Sequence, residues 1–227
     1  MKKLLSSIIT LVFFNVLIAQ NIQKSVGEFT ELKVFDLIEV ELIKSDQDRI
    51  DISGENKEYV SVINKNGKLK IRMKLERRFA GNNTTVALYY TNIDVIDANE
   101  GATIFSNETI KQYELDLKTQ EGGKIEVPVE VKFLNVKAVS GGIVTASGKA
   151  EQEKIAINTG GVCKTKELKT ESVRVAIKAG GEAEINAIEQ VDINIRAGGN
   201  VYVYGDPKTV KENKALGGRV KFMNKEQ

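Results

Sequence analysis

The chain has 227 residues, of which 28% are charged, with a formal net charge of +2, one cysteine and no histidine. The absence of histidine excludes serine-type catalytic triads, cysteine–histidine dyads and the usual zinc ligand sets. A single cysteine, Cys163, excludes an internal disulfide, and its place in an apolar pattern predicts a small buried side chain rather than a reactive thiol.

Residues 1–19 have the three-part pattern of a secretory signal peptide. Lys2 and Lys3 precede an apolar run that ends at Ile18, and the small residue Ala19 follows. Polar residues interrupt the run, so the segment itself does not have the pattern of a membrane span. We expect no stable membrane span once it is removed. Removal takes away two lysines and no acidic residue, which leaves 31 basic and 31 acidic residues. We therefore expect an exported protein, periplasmic, surface-bound or secreted, that does not bind nucleic acid.

The pattern of residues 21–91 predicts an N-terminal layer of short β-strands. Asn66-Gly67 is the strongest hairpin signal in the chain, because both residues tolerate a positive φ. No proline- or serine-rich linker follows, so we expect residues 20–227 to form a single domain in which this layer caps one end. Alternating apolar residues indicate strands at 29–35, 37–43 and 84–90.

A doubled glycine recurs at a nearly fixed interval in the rest of the chain. Consecutive pairs begin 18 to 20 residues apart, and Glu100-Gly101 resembles a degraded first member. Self-similarity at such a period is typical of a solenoid, in which the glycines mark sharp corners. The pairs are Gly122-Gly123, Gly141-Gly142, Gly160-Gly161, Gly180-Gly181, Gly198-Gly199 and Gly217-Gly218.

Alternating apolar residues on both sides of each glycine pair predict two strands per coil. Stacking the coils at roughly 4.8 Å would align the inward residues in columns and satisfy the backbone hydrogen bonds. Because parallel crossovers are right-handed as a rule, we predict an all-β fold, a right-handed parallel β-helix with coils of about 19 residues over 92–223. The left-handed hexapeptide type is the rival, but its six-residue spacing is absent. The predicted inward residues include Leu115, Leu134, Glu153, Val173 and Val191 before the corners, Ile125, Val144, Cys163, Ala183 and Val201 after them, and Val129, Val131, Leu168 and Ile188 on a short third side.

Several of these features together resemble the GIN-domain family of secreted proteins in Bacteroidetes-like bacteria. They are the signal peptide, the glycine-pair coils, Tyr-Gly-Asp-Pro at 204–207, Gly-Gly-Arg-Val-Lys at 217–221 and Asp-Ile-Ser-Gly at 51–54. The family is named for the head domains of auto-transporter adhesins and began as a domain of unknown function. The resemblance implies a right-handed β-helix at or beyond the outer surface with an adhesive role. It brings no catalytic residues.

The sequence offers one candidate ligand surface and no candidate catalytic or metal site. Tyr202 and Tyr204 lie two apart on a strand and should share its outward face, where aromatic rings can stack on sugars or anchor a protein. The alternative is that they cover the end of the helix. No aspartate follows the glycines in the register of calcium solenoids. The outward column after the corners, which groups no acidic pair, reads Glu126, Thr145, Lys164, Glu184, Tyr202 and Lys221.

These observations favour a secreted or cell-surface, non-enzymatic module that acts as an adhesin-like binder or scaffold. Its expected partner is a glycan or a cell-surface protein, and no cofactor is expected. The sequence leaves open two other functions, a carbohydrate-active enzyme built on a β-helix and a purely structural envelope component. A carbohydrate-active enzyme would require two carboxylates on adjacent coils.

Overall fold

The computed structural model describes residues 21–223, so the predicted signal peptide lies outside the described part. Within that part the protein is almost entirely β-structure, with single 3₁₀ turns at Lys57–Tyr59 and Leu75–Arg77. The first strands are β1 (Ile22–Ser25), β2 (Glu31–Val34), β3 (Glu39–Lys44), β4 (Arg49–Gly54), β5 (Val60–Lys65), β6 (Lys68–Met73), β7 (Thr84–Tyr90), β8 (Val95–Ala98) and β9 (Thr103–Phe105). They are followed by β10 (Ile110–Thr119), β11 (Lys124–Val139), β12 (Ile143–Asn158), β13 (Val162–Lys164), β14 (Leu168–Ile177), β15 (Glu182–Ala197), β16 (Asn200–Tyr204), β17 (Thr209–Leu216) and β18 (Arg219–Phe222).

Strands β10 to β18 stack as parallel coils. In the ladders, Lys124 lies opposite Ile143, and Ile143 lies opposite Val162, which are steps of 19 residues. The step equals the spacing of the glycine pairs and places each residue above its counterpart in the previous coil. The predicted parallel β-solenoid is confirmed. Its right-handed winding stays a prediction from the general rule for parallel crossovers.

Each coil contributes to two main sheets and to a short third side. The first sheet holds the strands that precede the corners, and the second sheet holds the strands that follow them. The first sheet runs β6, β2, β8, β10, residues 133–139 of β11, residues 152–158 of β12, β14, residues 190–197 of β15, and β17. The second sheet runs β4, β7, β3, β9, the first residues of β11, β12, β13 and β15 in turn, β16 and β18.

The third side follows the predicted pattern except at one coil. Val129, Val131 and Leu168 are buried there, as expected. Ile188 was expected to point inward, but it is 53% exposed, and Ala187 is buried in its place. The ladder between β14 and β15 changes register between Thr170 and Ser172, which shifts the inward position by one residue.

The coil pattern begins before residue 92, where the sequence places its start. β2 pairs in parallel with β8, and β3 with β9, so residues 31–44 already form a coil. The corner of this coil is Asp36-Leu37, whose φ angles of 60° and 64° are close to those of Glu121-Gly122 in a later coil. Because leucine stands where the later corners have glycine, the glycine spacing does not reveal this coil.

The remaining strands of the N-terminal part end the parallel stacking. β6 and β7 lie on the outer side of the first coil, in parallel with β2 and β3. β5 then pairs antiparallel with β6, β4 with β7 and β1 with β4. The predicted hairpin joins β5 to β6, and Asn66 and Gly67 have φ angles of 53° and 75°.

Asp36 ties the long connection between β6 and β7 to the first coil. Its side chain is fully buried, and its carboxylate accepts hydrogen bonds from the main-chain nitrogens of Met73 (3.0 Å) and Phe79 (3.2 Å). The Nε atoms of Arg72 and Arg78 each lie 3.9 Å from the same carboxylate. The two hydrogen bonds and the two nearby guanidinium groups compensate the buried charge.

The two glycines of a corner satisfy two different constraints. Thr159 and Gly160 have φ angles of 49° and 72°, in the left-handed region that costs least for glycine. A Cβ on Gly160 would meet no atom within 4 Å, whereas a Cβ on Gly161 would lie 2.1 Å from the carbonyl oxygen of Ala138 in the previous coil. The first glycine is therefore required by its backbone angle and the second by the close approach of two coils.

A small polar group lies among the apolar side chains in the middle of the stack. Cys163 is fully buried and free, as predicted, and burial raises the pKa of its thiol well above the usual value. Glu153 occupies an inward column between Leu134 and Val173 and is 2% exposed. Burial raises the pKa of its carboxyl group to about 8, against a smaller opposing effect from the hydroxyl of Thr165.

The hydrogen bonds around Glu153 explain how a neutral carboxyl group fits there. The Thr165 hydroxyl oxygen lies 3.2 Å from Oε2 of Glu153 and 3.0 Å from the carbonyl oxygen of Glu184. A hydroxyl group has one hydrogen, so it can donate to only one of these oxygens. When Glu153 is protonated, it donates to Thr165, which donates onward to Glu184. The other carboxyl oxygen, Oε1, has no hydrogen-bond partner among the described residues, so ionisation would leave a charge that is poorly compensated.

The corner geometry predicts unequal effects for two neighbouring substitutions. Gly160→Ala should lower the free energy of unfolding by about 1 to 2 kcal/mol, the cost of a left-handed alanine. Gly161→Ala should lower it by about 3 kcal/mol or more, because the new methyl group overlaps a main-chain oxygen. Urea denaturation of both variants measures the difference. Equal losses would contradict the assignment of the two glycines.

The buried carboxyl group predicts a protein that loses stability as the pH rises. Glu153 titrates near pH 4.5 when unfolded and near pH 8 when folded. Its contribution is therefore fully present below pH 4.5 and is lost between these two values, by roughly 3 to 5 kcal/mol. Glu153→Leu restores the apolar column and should flatten this dependence. Denaturant melts of both proteins from pH 5 to pH 9 measure how the free energy of unfolding depends on pH. If both proteins lose the same stability over this range, Glu153 is not the group responsible.

Candidate functional site

An exposed tyrosine and a half-buried phenylalanine from neighbouring coils form an aromatic pair where these coils bend from the third side into the first sheet. The ladder between β10 and β11 passes from Gln112 to Glu114 and omits Tyr113 at the bend. Tyr113 is 66% exposed, and its ring meets that of Phe133 edge to face, with centroids 5.3 Å apart and planes at 71°. The Nζ atom of Lys132 lies 5.9 Å from both ring centroids, within the range of a cation–π contact.

A polar groove, lined at one end by Phe133 of this pair, crosses the following coils of the first sheet. Its volume is about 280 Å³. Two columns of the ladder supply its outward side chains, and their members come from β11, β12, β14 and β15. The first column contains Phe133, Gln152, Ser172 and Gln190, and the second contains Asn135, Lys154, Arg174 and Asp192.

The groove combines fixed polar groups with groups that are free to bind. The amide nitrogen of Asn135 donates to Glu114 (2.8 Å) and to Asp116 (2.9 Å), which fixes its orientation. Nε of Arg174 lies 3.5 Å from Oδ2 of Asp192, and the arginine side chain is 68% exposed. The amides of Gln152 and Gln190, by contrast, make no side-chain hydrogen bond within residues 21–223. An aromatic surface beside free amides and an exposed charge pair suits a ligand with many hydroxyl groups.

The two tyrosines singled out from the sequence lie elsewhere. Tyr202 and Tyr204 are on β16 in the second sheet, where they are half-buried and alternate with the buried Val201 and Val203. In the ladder, Tyr202 lies opposite Glu184. They therefore do not contribute to the groove on the first sheet. Sequence reasoning missed Tyr113 and Phe133 because they stand eight or nine residues before a glycine pair, outside the two strand segments used to define the coils.

The outward column after the corners aligns as expected. Glu126, Thr145 and Lys164 lie opposite one another in successive coils. The Nζ atom of Lys166 comes within 3.7 Å of Oε2 of Glu184, the next member of this column. In the part of the chain that the structure describes, no three histidine, cysteine, aspartate or glutamate side chains group to hold a metal ion. No helix in the same part is long and apolar enough to cross a membrane.

Solved structures share this architecture at low sequence identity. A putative adhesin from Bacteroides fragilis has a TM-score of 0.81 and 18% identity, covering 89% of this chain and 96% of its own. A putative adhesin from Parabacteroides merdae has a TM-score of 0.69 and 16% identity, covering 90% and 96%. A putative lipid binding protein from Parabacteroides distasonis has a TM-score of 0.69 and 15% identity, covering 88% and 96%. At these identities the likeness establishes the fold alone.

The family assignment comes from the sequence itself. A search of the curated proteins gave no match. The profile of the family described as "Putative auto-transporter adhesin, head GIN domain" matches residues 28–207, from the strands of the first coil to the turn after β16. That match covers well over half of the chain, so the protein belongs to this GIN-domain family.

Proposed function

We propose that this protein is an exported, non-enzymatic, adhesin-like module that binds glycan chains through the groove on its first sheet. The family is named for adhesins, and two of the structural neighbours carry the same name. The observation that carries the proposal is the exposed ring of Tyr113, held against Phe133, which lines the groove together with the free amides of Gln152 and Gln190. The predicted signal peptide at residues 1–19 supports export to the periplasm, the outer surface or the medium.

The chemistry of the groove matches that of a sugar chain. An aromatic ring can pack against the apolar face of a pyranose. Tyr113 remains largely exposed beside Phe133, so its ring is accessible for such a contact. Gln152 and Gln190 can donate to and accept from hydroxyl groups, and Arg174 and Asp192 can each form two hydrogen bonds. Since the columns repeat at roughly 4.8 Å, a linear chain that runs along the groove can meet a polar side chain on each of several successive coils.

The scaffold holds these groups in place before a ligand arrives. The groove side chains project from strands in the interior of a parallel stack, and the inward neighbours Leu134 and Val173 are buried at 1% and 2% exposure. A surface on packed strands loses little conformational entropy when it binds. Modest affinity for each glycan site is expected, because the groove is shallow and open to water.

One neighbour carries a name that suggests another ligand, a lipid. The groove on this chain does not favour an acyl chain, because its outward lining includes Gln152, Lys154, Arg174 and Asp192. Burying an acyl chain against these groups would remove water from charges without replacing their hydrogen bonds. The polar lining favours a glycan.

Substitution of the exposed ring tests the proposal. Tyr113→Ala should weaken binding to oligosaccharides on a glycan array by about tenfold, the loss of one stacked ring. Tyr202→Ala removes a tyrosine from the opposite sheet and is the matched control, which should bind as the unmodified protein does. Titration calorimetry with the best array ligand gives the affinities. If Tyr202→Ala abolishes binding and Tyr113→Ala does not, the site lies on the second sheet.

A second measurement separates binding from catalysis. The array ligands should be recovered intact after long incubation with the protein, without new reducing ends or unsaturated products. Release of either product would show glycoside hydrolysis or lyase activity and would overturn the non-enzymatic assignment.

A further inference from the structure

In the last coil, the first-sheet strand β17 is exposed along its whole length. All eight residues of β17 are exposed, although Val191, Ile193 and Ile195, which lie beneath it in β15, are fully buried. Within residues 21–223, β17 pairs with β15 on one side and with no strand on the other. This edge presents unpaired main-chain donors and acceptors, which is the usual template for addition of another strand.

The side chains on the inward face of β17 differ from those of every coil beneath it. The ladder places Glu212 over Ile193 and Lys214 over Ile195, so two charges stand directly above buried isoleucines. Nζ of Lys214 forms an ion pair with Oε1 of Glu212. Two apolar residues flank this pair on the same face, Val210 at 40% and Leu216 at 77% exposure.

The order of these residues is self-complementary about Asn213. If two copies of β17 pair antiparallel with Asn213 opposite Asn213, residues whose numbers are symmetric about 213 face each other. Glu212 then faces Lys214 of the second copy, and Val210 faces Leu216 of the second copy. On the outward face Lys211 meets Ala215 of the second copy, so no like charges are opposed.

We propose that two copies of this chain associate end to end through antiparallel pairing of their β17 strands, centred on Asn213. The contact is a two-fold interface, in which one surface is complementary to itself. It gives hydrogen-bond partners to the unpaired main-chain groups of β17 in both copies and covers the exposed Val210 and Leu216. Glu212 of each copy pairs with Lys214 of the other. Inward charges on an edge strand deter unrelated strands, and here they select a second copy of the same strand.

Cysteine cross-linking tests the register. In antiparallel pairing, the Cα atoms of the two residues at position 213 are about 4.5 to 5.5 Å apart, which suits a disulfide. Asn213→Cys should therefore give a covalent dimer under mild oxidation. Lys211→Cys is the matched control on the same face, because its two copies lie about 13 Å apart. The native Cys163 is buried and does not interfere. Equal cross-linking of both variants, or none at position 213, overturns the proposal.

Charge exchange tests the pairing itself. In sedimentation experiments on the chain without residues 1–19, the unmodified protein should form dimers as concentration rises. Lys214→Glu opposes two like charges across the axis and should weaken association about a hundredfold. The double exchange Glu212→Lys with Lys214→Glu restores opposite charges and should restore the dimer. A protein that is monomeric over the whole concentration series, or a double exchange that fails to restore association while remaining folded, overturns the proposal.

Discussion

The close approach of successive coils at their corners is the constraint on which the rest of this structure depends. At Gly123 and Gly161 a side chain would lie 2.2 Å and 2.1 Å from a carbonyl oxygen of the preceding coil. At these two corners a residue without Cβ allows the ladder to continue in register. The corner of the first coil, which has Leu37 in the left-handed position, is built differently. That register aligns the apolar interior in columns. It also aligns the outward residues, and the groove exists because the same positions recur on neighbouring strands of the first sheet.

The repeat made most of the fold predictable, because its spacing and the alternation around it are local properties of the chain. Three features were not predictable for physical reasons. The coil at residues 31–44 carries Leu37 in the left-handed position, so it lacks the glycine signal. The inward position of Ala187 depends on a register change in a neighbouring strand. Glu153 was predicted to point inward, but its neutral state depends on Thr165, which becomes its neighbour only in the folded protein.

The candidate site illustrates the same limit. Alternation identifies which face of a strand is outward, and it placed Tyr202 and Tyr204 on an outward face. It gives no information about bends, where two consecutive residues such as Tyr113 and Glu114 are both exposed. The groove arises at such a bend, from side chains about 20 residues apart in sequence and one coil apart in space.

If two copies join through β17, each dimer carries two grooves. A polymeric ligand that spans both grooves is then held more strongly than a ligand bound in one groove.

The first coil has a consequence for how the chain acquires its shape. Residues 31–44 lie between strands β6 and β7 on one side and β8 and β9 on the other, so neighbours in space are not neighbours in sequence. A regular solenoid can start to fold at any repeat and grow by adding the next one. In the N-terminal part the paired residues lie much further apart along the chain, since Glu31 pairs with Lys68 and with Val95, whereas later coils pair at steps of about 19 residues. Ordering this end therefore closes longer loops than adding a coil at the other end does, and contacts of that kind slow folding.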